Sequence, residues 1–180
     1  MKRSIIAASV LSAIFMSAGV FAVDAESADY GELIITGKVV GTTCKFVGDA
    51  TAKIDMNQVG VDRLNILNAG GVYDGYSNST ITPLKVECTG DNAPRITFSR
   101  SQFDSSHTSV TRNTASNNGA GFSVYYDGNK VNADNGISLE KSDDGKYELS
   151  FSARYANLAG QNNVTAGEVS SSLTLTVVTD

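Results

Sequence analysis

The chain has 180 residues, with 14 basic and 19 acidic side chains and a formal net charge of −5. This acidic balance argues against binding to nucleic acid or adsorption to anionic lipid, since both need a basic protein surface. The length suits one domain with a sizeable core. The lack of tryptophan, the two prolines, the 17 glycines and many short apolar runs favour an all-β domain.

The first residues predict a secretory signal peptide. Lys2 and Arg3 form a short basic region, and an uncharged, mostly apolar run follows up to Phe21. Small residues then allow cleavage after Ala22 or, alternatively, after Ala25. A transmembrane anchor is the competing interpretation, but the run is slightly short and contains serine and glycine. No later stretch is apolar enough to span a bilayer, so we expect an exported protein without membrane insertion.

Residues 31–44 have the period-two pattern of a β-strand. One face is mixed, and the other is entirely apolar or glycine and carries Gly31, Leu33, Ile35, Gly37 and Val39. Glycines on a buried face are unusual, because glycine weakens a strand and often marks the close approach of another backbone. This stretch is therefore either the first strand of the domain or a strand offered to another molecule.

The two cysteines, Cys44 and Cys88, both lie in the part of the chain that would be exported. In an oxidising compartment such a pair predicts one disulfide. A metal site is the alternative, but it is disfavoured because His107 is the only histidine and lies in a polar run. We therefore expect a disulfide and no metal.

Further strands are predicted from alternating apolar residues and from the turn signals between them. They cover residues 50–56, 80–88, 94–99, 121–126, 129–131, 137–140, 146–156 and 164–180. Residues 57–79 are predicted to form a long connection with one short strand or helical turn near Leu64, and residues 101–120 an exposed loop. Asp127 and Gly128 predict a two-residue hairpin turn. Strands at this spacing, without a convincing helix, predict a β-sandwich.

Catalytic groups are not evident in the sequence. A single histidine leaves few arrangements for acyl transfer, and no Gly-x-Ser-x-Gly motif is present. The acidic runs around Asp127 and Asp144 do not fit a twelve-residue calcium loop, and hairpin turns explain them better. We therefore expect neither an enzyme nor a cofactor.

The segments in order resemble the pilin subunits of chaperone–usher fimbriae of Gram-negative bacteria, the type 1 fimbrial major-subunit family. The resemblance covers the whole exported part of the chain. It rests on GELIITGKVVGTTC at residues 31–44, ITPLKVEC at 81–88, RITF at 95–98 and GFSVYYD at 121–127, and on the ending FSARY at 151–155, VTAGEV at 164–169 and the alternating final strand.

The resemblance implies an all-β, incomplete immunoglobulin-like sandwich that lacks its last strand and is completed by a donor strand. It divides the chain into the signal peptide, a donor-strand extension at residues 23–43 and a pilin domain at residues 44–180. It places the donor face at Gly31, Leu33, Ile35 and Gly37, the groove and chaperone-facing strand at Leu173, Leu175 and Val177, and a disulfide at Cys44 and Cys88. Thr179 stands where the family usually has a tyrosine.

The implied function is that of a structural subunit of a fimbria that polymerises by donor-strand exchange and supports cell adhesion. The implied partners are a periplasmic chaperone, an outer-membrane usher and neighbouring pilin subunits in a head-to-tail filament at the cell surface. Two alternatives stay open. One is a single-domain adhesin that binds sugar through Tyr125, Tyr126 or the loop at residues 101–120, and the other is a secreted β-sandwich that is complete by itself.

Overall fold

The computed structural model describes residues 43–90 and 92–179. Within these ranges the chain forms mostly short strands, with one single-turn α-helix and one 3₁₀ turn at Arg100–Gln102. The elements are β1 Thr43–Val47, α1 Val61–Asn65, β2 Asn78–Ser79, β3 Leu84–Thr89, β4 Pro94–Phe98, β5 Ala120–Tyr126, β6 Asn129–Lys130, β7 Ile137–Ser138, β8 Lys146–Leu149, β9 Phe151–Asn157 and β10 Leu175–Thr179.

The strands pair in three antiparallel sheets, with the orders β1-β3-β8, β10-β4-β7 and β2-β9-β5-β6. Alternation along each strand turns apolar side chains to one side, as in β4, where Pro94, Ile96 and Phe98 are buried and Arg95 and Thr97 are not. The predicted hairpin is confirmed, because Asp127 and Gly128 have φ values of 47° and 73° and join β5 to β6. The all-β expectation is confirmed.

The buried apolar side chains form two clusters. The first draws on β3, β4, β5, β8 and β9 and includes Val86, Ile96 and Leu149, each with 0% exposure. The second is smaller and lies around α1, the first half of β5 and the second half of β9, with Leu64, Phe122 and Tyr155 among its members. The core of the described residues is thus divided into a larger and a smaller cluster.

Cys44 and Cys88 form the predicted disulfide. They stand directly opposite each other in the β1–β3 register, with their Cα atoms 4.0 Å apart. The bond ties the first described strand to the centre of its sheet.

Three strand predictions need correction. The predicted strand at residues 146–156 is two strands, since the chain leaves one sheet and enters another at Ser150 while its buried face continues unbroken from Leu149 to Phe151. The final strand pairs only from Leu175 onward. Residues 51–56 alternate in burial as expected, but Ala50 is exposed and residues 50–56 join no sheet of the described residues.

Two further predictions need correction. The strand predicted at residues 80–88 begins late, since β3 starts only after Pro83 and Ile81 is 68% exposed. The loop at residues 101–120 is not simply exposed, because Phe103, Val110 and Thr111 are fully buried in it. The helical turn expected near Leu64 is confirmed as α1.

Candidate functional site

A long open groove of about 850 Å³ runs along the domain. Its floor consists of core side chains contributed by four different strands: Leu84, Phe98, Phe122, Val124, Phe151, Ala153 and Tyr155. Floor residues come from both apolar clusters, so the groove passes over the boundary between them. An occupant with apolar side chains would join the two clusters into one core.

Residues 50–56 form the first edge of the groove. Ala52, Ile54 and Met56 are half-buried and turn toward it, while Lys53 and Asp55 form an ion pair with 2.8 Å between Nζ and Oδ1 at the rim. This edge is held from outside: the Lys53 carbonyl accepts a hydrogen bond from the Ile81 amide, and the Asp55 carbonyl accepts one from the Asn78 side chain.

Main-chain groups of alternate residues in an extended strand point to opposite sides. Because Lys53 and Asp55 bond away from the groove, the amides and carbonyls of Ala52 and Ile54 face it. No hydrogen bond from these two main chains to another described residue is present. This first edge is therefore available for strand pairing, which explains why residues 50–56 look like a strand in the sequence and yet pair with none of the described strands.

Residues 169–175 form the second edge of the groove. Val169, Ser171, Leu173 and Leu175 are half-buried and line it, and the residues between them are exposed. The outer side of this edge is also occupied, because the main chains of Ser170 and Thr174 bond to the loop that follows β4. The main chains of residues 169, 171 and 173 then face the groove.

The groove is nearly uncharged inside. Apart from the ion-paired Lys53 and Asp55 at the rim, the lining residues are apolar, hydroxyl-bearing or aromatic. Tyr155 at one end stays a neutral phenol, because burial raises its pKa above the ordinary value for tyrosine. The site thus offers apolar floor and two strand edges, which is the chemistry that recognises an extended peptide.

A second, smaller cavity of about 570 Å³ continues the groove beyond Tyr155, Val169 and Ser170. Its walls come from α1 and from residues 164–168. Sequence patterns gave no sign of it, because its walls meet only in the folded domain.

The residues predicted for the site fall into three groups. Leu173 and Leu175 line the groove, while Val177 in β10 packs against the first cluster without lining it, and the contact of these residues with a chaperone stays a prediction. Gly31, Leu33, Ile35 and Gly37 lie outside the described residues, so their role stays a prediction. Thr179 ends β10 opposite Pro94.

The side chains considered for sugar binding are engaged within the domain. The Tyr125 ring lies under the Arg154 guanidinium, at 5.1 Å from its centroid, and Tyr126 packs against Phe151. Much of the loop at residues 101–120 holds the second groove edge. These positions therefore have structural roles.

Within residues 43–90 and 92–179, no group of three or more histidine, cysteine or carboxylate side chains could hold a metal ion. A search of the same residues finds no helix with the length and apolar character needed to cross a membrane.

The model of one protein family, described as "Fimbrial protein", matches residues 33–179. The chain belongs to this family. A fimbrial-like protein of Escherichia coli (strain K12), the uncharacterised YehD, is 35% identical over the full length of both chains. These two matches identify the chain as a fimbrial protein, in agreement with the sequence motifs.

Two solved structures share the fold of this fimbrial protein. One is a chaperone–usher pilus, with a TM-score of 0.56 and 17% identity, covering 84% of this chain and 96% of the other. The second is the P pilus rod subunit PapA, with a TM-score of 0.56 and 16% identity, covering 76% of this chain and 99% of the other. At this identity they establish the immunoglobulin-like β-sandwich alone.

Proposed function

We propose that this fimbrial subunit is a structural building block that polymerises by donor-strand exchange. Its groove would receive the N-terminal extension of a neighbouring subunit, and its own extension would enter the groove of the next. The observation that carries the proposal is the pair of strand edges, at residues 50–56 and 169–174, that flank an apolar groove without pairing to a described strand.

The chain carries a segment that fits this groove. Residues 31–37 span about seven residues, as do residues 50–56, so the two would run side by side over roughly 23 Å. Leu33 and Ile35 fall on one face and would enter the apolar floor, while Gly31 and Gly37 on the same face let the backbone approach closely. Ladder hydrogen bonds to both edges would supply affinity, and alternate side chains would supply specificity.

An unfilled groove is a hazard before assembly. Unpaired strand edges beside an exposed core promote aggregation unless something covers them. A periplasmic chaperone that lends a strand would meet this need, and an outer-membrane usher would release the subunit at the cell surface. Because each subunit donates at one site and accepts at another, contacts run head to tail and give an open filament.

The remaining parts of the proposal follow from the same assignment. Residues 1–22, or 1–25, would be removed during export, and the filament would stand outside the cell and support adhesion. The domain would have no enzymatic activity, since the groove offers an apolar floor and strand edges.

The test changes the donor face and compares it with the opposite face. Leu33→Asp or Ile35→Asp should abolish filaments, because a carboxylate cannot enter an apolar groove without a large desolvation cost. Ile34→Asp, which changes the other face of the same segment, should leave assembly intact. Electron microscopy and the heat-stable ladder of oligomers in SDS gels would report the result.

Normal filaments from Leu33→Asp and Ile35→Asp would rule out the donor-strand assignment. A parent chain that stays monomeric and folded without a chaperone would instead support a sandwich that is complete by itself.

A further inference from the structure

We infer that two side-chain carboxamides, those of Asn113 and Gln102, stand in for a missing strand partner along the outer side of residues 168–174 and so fix the register in which the groove accepts a strand. This inference rests on the proposed function, since it concerns how the second groove edge is prepared for its occupant. Neither side chain lines the groove itself.

Asn113 imitates a peptide group toward the second edge. Its Nδ2 donates to the carbonyl oxygen of Glu168 at 2.9 Å, and its Oδ1 accepts from the amide of Ser170 at 3.0 Å. One carboxamide thus bonds to a main-chain carbonyl and to the main-chain N–H two residues later. A neighbouring strand would make the same pair of bonds to this edge. The Thr114 amide continues this pattern with a bond of 2.8 Å to the Ser170 carbonyl.

The Asn113 side chain is itself fixed in orientation. Its Oδ1 also accepts hydrogen bonds from the amides of Ala115 and Ser116, and its Nδ2 donates to Asn118 Oδ1 at 3.0 Å. Asn118 is buried and accepts from the Ala120 amide at the start of β5. The position of the second edge is thus tied to a central strand of the domain.

Gln102 makes one such main-chain bond nearer to β10. Its Oε1 accepts from the Thr174 amide at 2.7 Å, and its Nε2 donates to the Thr174 hydroxyl at 3.1 Å. One residue later, β10 begins to pair with β4. Asn113 and Gln102 therefore extend the β4 ladder toward residue 168, where no described strand continues it.

The consequence concerns the side of this edge that faces the groove. Main-chain groups of residues 169, 171 and 173 can pair with an incoming strand only if the segment is held extended and in register. A segment without an outer partner would have to be ordered at the moment of binding, which lowers affinity. Asn113 and Gln102 are positioning residues, because they hold the second edge extended before a strand binds.

The experiment uses the full exported chain and a fluorescent peptide with the sequence of residues 31–40. Dissociation of the bound peptide is followed by fluorescence anisotropy after addition of excess unlabelled peptide. Asn113→Asp keeps the oxygen that accepts from Ser170 but removes one of the two donors to the Glu168 carbonyl, the other being the Ser116 hydroxyl, so the peptide should leave about tenfold faster. Asn129→Asp, at the tip of the β5–β6 hairpin, is the matched control and should change the rate less than about twofold.

A second pair of variants separates positioning from bulk packing. Gln102→Glu keeps the oxygen for the Thr174 amide and should dissociate like the parent chain. Gln102→Met keeps the size and loses that oxygen, so it should release the peptide about fivefold faster. Hydrogen exchange should show loss of protection at the amides of residues 169, 171 and 173 in the Gln102→Met complex, while the unfolding midpoint of the free variant matches that of Gln102→Glu.

Parent-like dissociation and protection in both Asn113→Asp and Gln102→Met would overturn the inference and leave donor-strand binding intact. Equal losses in Gln102→Glu and Gln102→Met would also overturn it, because the retained oxygen would then not matter. A parent chain that fails to bind the peptide at all would overturn the proposed function together with the inference.

Discussion

Asn157 shows how one buried polar side chain can organise a whole end of this domain. It lies at the end of β9 with 0% exposure, and its Nδ2 donates to the carbonyls of Leu64, Leu67 and Gly160 at 2.9, 2.9 and 3.0 Å. Its Oδ1 accepts from the Gly160 amide at 2.8 Å. The carbonyl of Leu64 in the last turn of α1, which also accepts from the Leu67 amide, and the carbonyl of Leu67 just beyond the helix thereby gain a side-chain donor.

Asn157→Leu, a change of similar size, should lower the free energy of unfolding by about 2–4 kcal/mol, because it removes all four side-chain hydrogen bonds at a fully buried position. Urea unfolding followed by tyrosine fluorescence measures the effect. Asn163→Leu is the control, since Asn163 is exposed and donates only to the Ala159 carbonyl. A loss of equal size in both variants would contradict this account of Asn157.

Asp104 gives the domain one defined response to acid. Burial raises its pKa, but hydrogen bonds from the amides of Ser106 and His107 and the contact with the His107 imidazole outweigh burial, so the pKa lies below its ordinary value. A carboxyl with a lowered folded-state pKa contributes stability that is present above its unfolded-state pKa and is lost as pH falls through the folded-state pKa.

Asp104→Asn should therefore weaken the dependence of stability on pH below about pH 4. The parent chain should lose more of its unfolding free energy between pH 6 and pH 3 than the variant does, and urea unfolding at both values measures the difference. Identical acid dependence in the two chains would contradict the assignment.

Sequence periodicity predicts which side of each element is buried but not which neighbour it pairs with. Alternation predicts the buried face of residues 51–56 and 169–174, and both segments turn their apolar side chains to the core. Their lack of a described ladder partner could not be seen, because alternation reports burial alone. The change of sheet at Ser150 was hidden for the same reason, since the buried face continues across it.

The candidate site was predictable in part. The alternation and the family resemblance place Leu173 and Leu175 on the inward face of the final strand, and both line the groove. The sequence predicts a half-buried strand at residues 50–56 and an exposed loop at residues 101–120, so it reveals neither the opposing edge nor the bonds that Asn113 and Gln102 make. Such long-range side-chain bonds leave no periodic trace in a sequence.

A charge placed on the inward face of the second edge should block assembly. Leu173→Lys puts an ammonium group against the first apolar cluster, so the groove can no longer receive an apolar strand. Ser172→Lys, one residue away on the exposed face, should assemble normally. Filament yield seen by electron microscopy distinguishes the two, and filaments from Leu173→Lys in parent amounts would contradict the position of the groove.

At the scale of the whole domain, the disulfide and the groove are connected through the chain path. The loop closed by Cys44 and Cys88 contains the first groove edge together with α1 and β2. The opposite edge lies outside that loop and is held by hydrogen bonds. Closing the loop therefore restricts one wall of the groove in the unfolded chain as well as in the folded domain.

Cys44→Ser combined with Cys88→Ser should cost about 2–4 kcal/mol of unfolding free energy and lower the periplasmic yield of the chain. The parent chain treated with a reductant serves as the control and should lose stability to a similar extent. Unchanged thermal stability and yield in the double variant would show that the covalent loop is dispensable.

The groove also determines how a filament of such subunits would carry load. Its two edges run side by side along an occupying strand, and the occupant would span both apolar clusters. A pull along the filament would then act parallel to that strand, in shear, so that its ladder hydrogen bonds are stressed together rather than one after another. We expect joints between subunits to withstand forces that would peel the short β5–β6 hairpin apart, and single-molecule pulling on a pair of linked subunits would measure this.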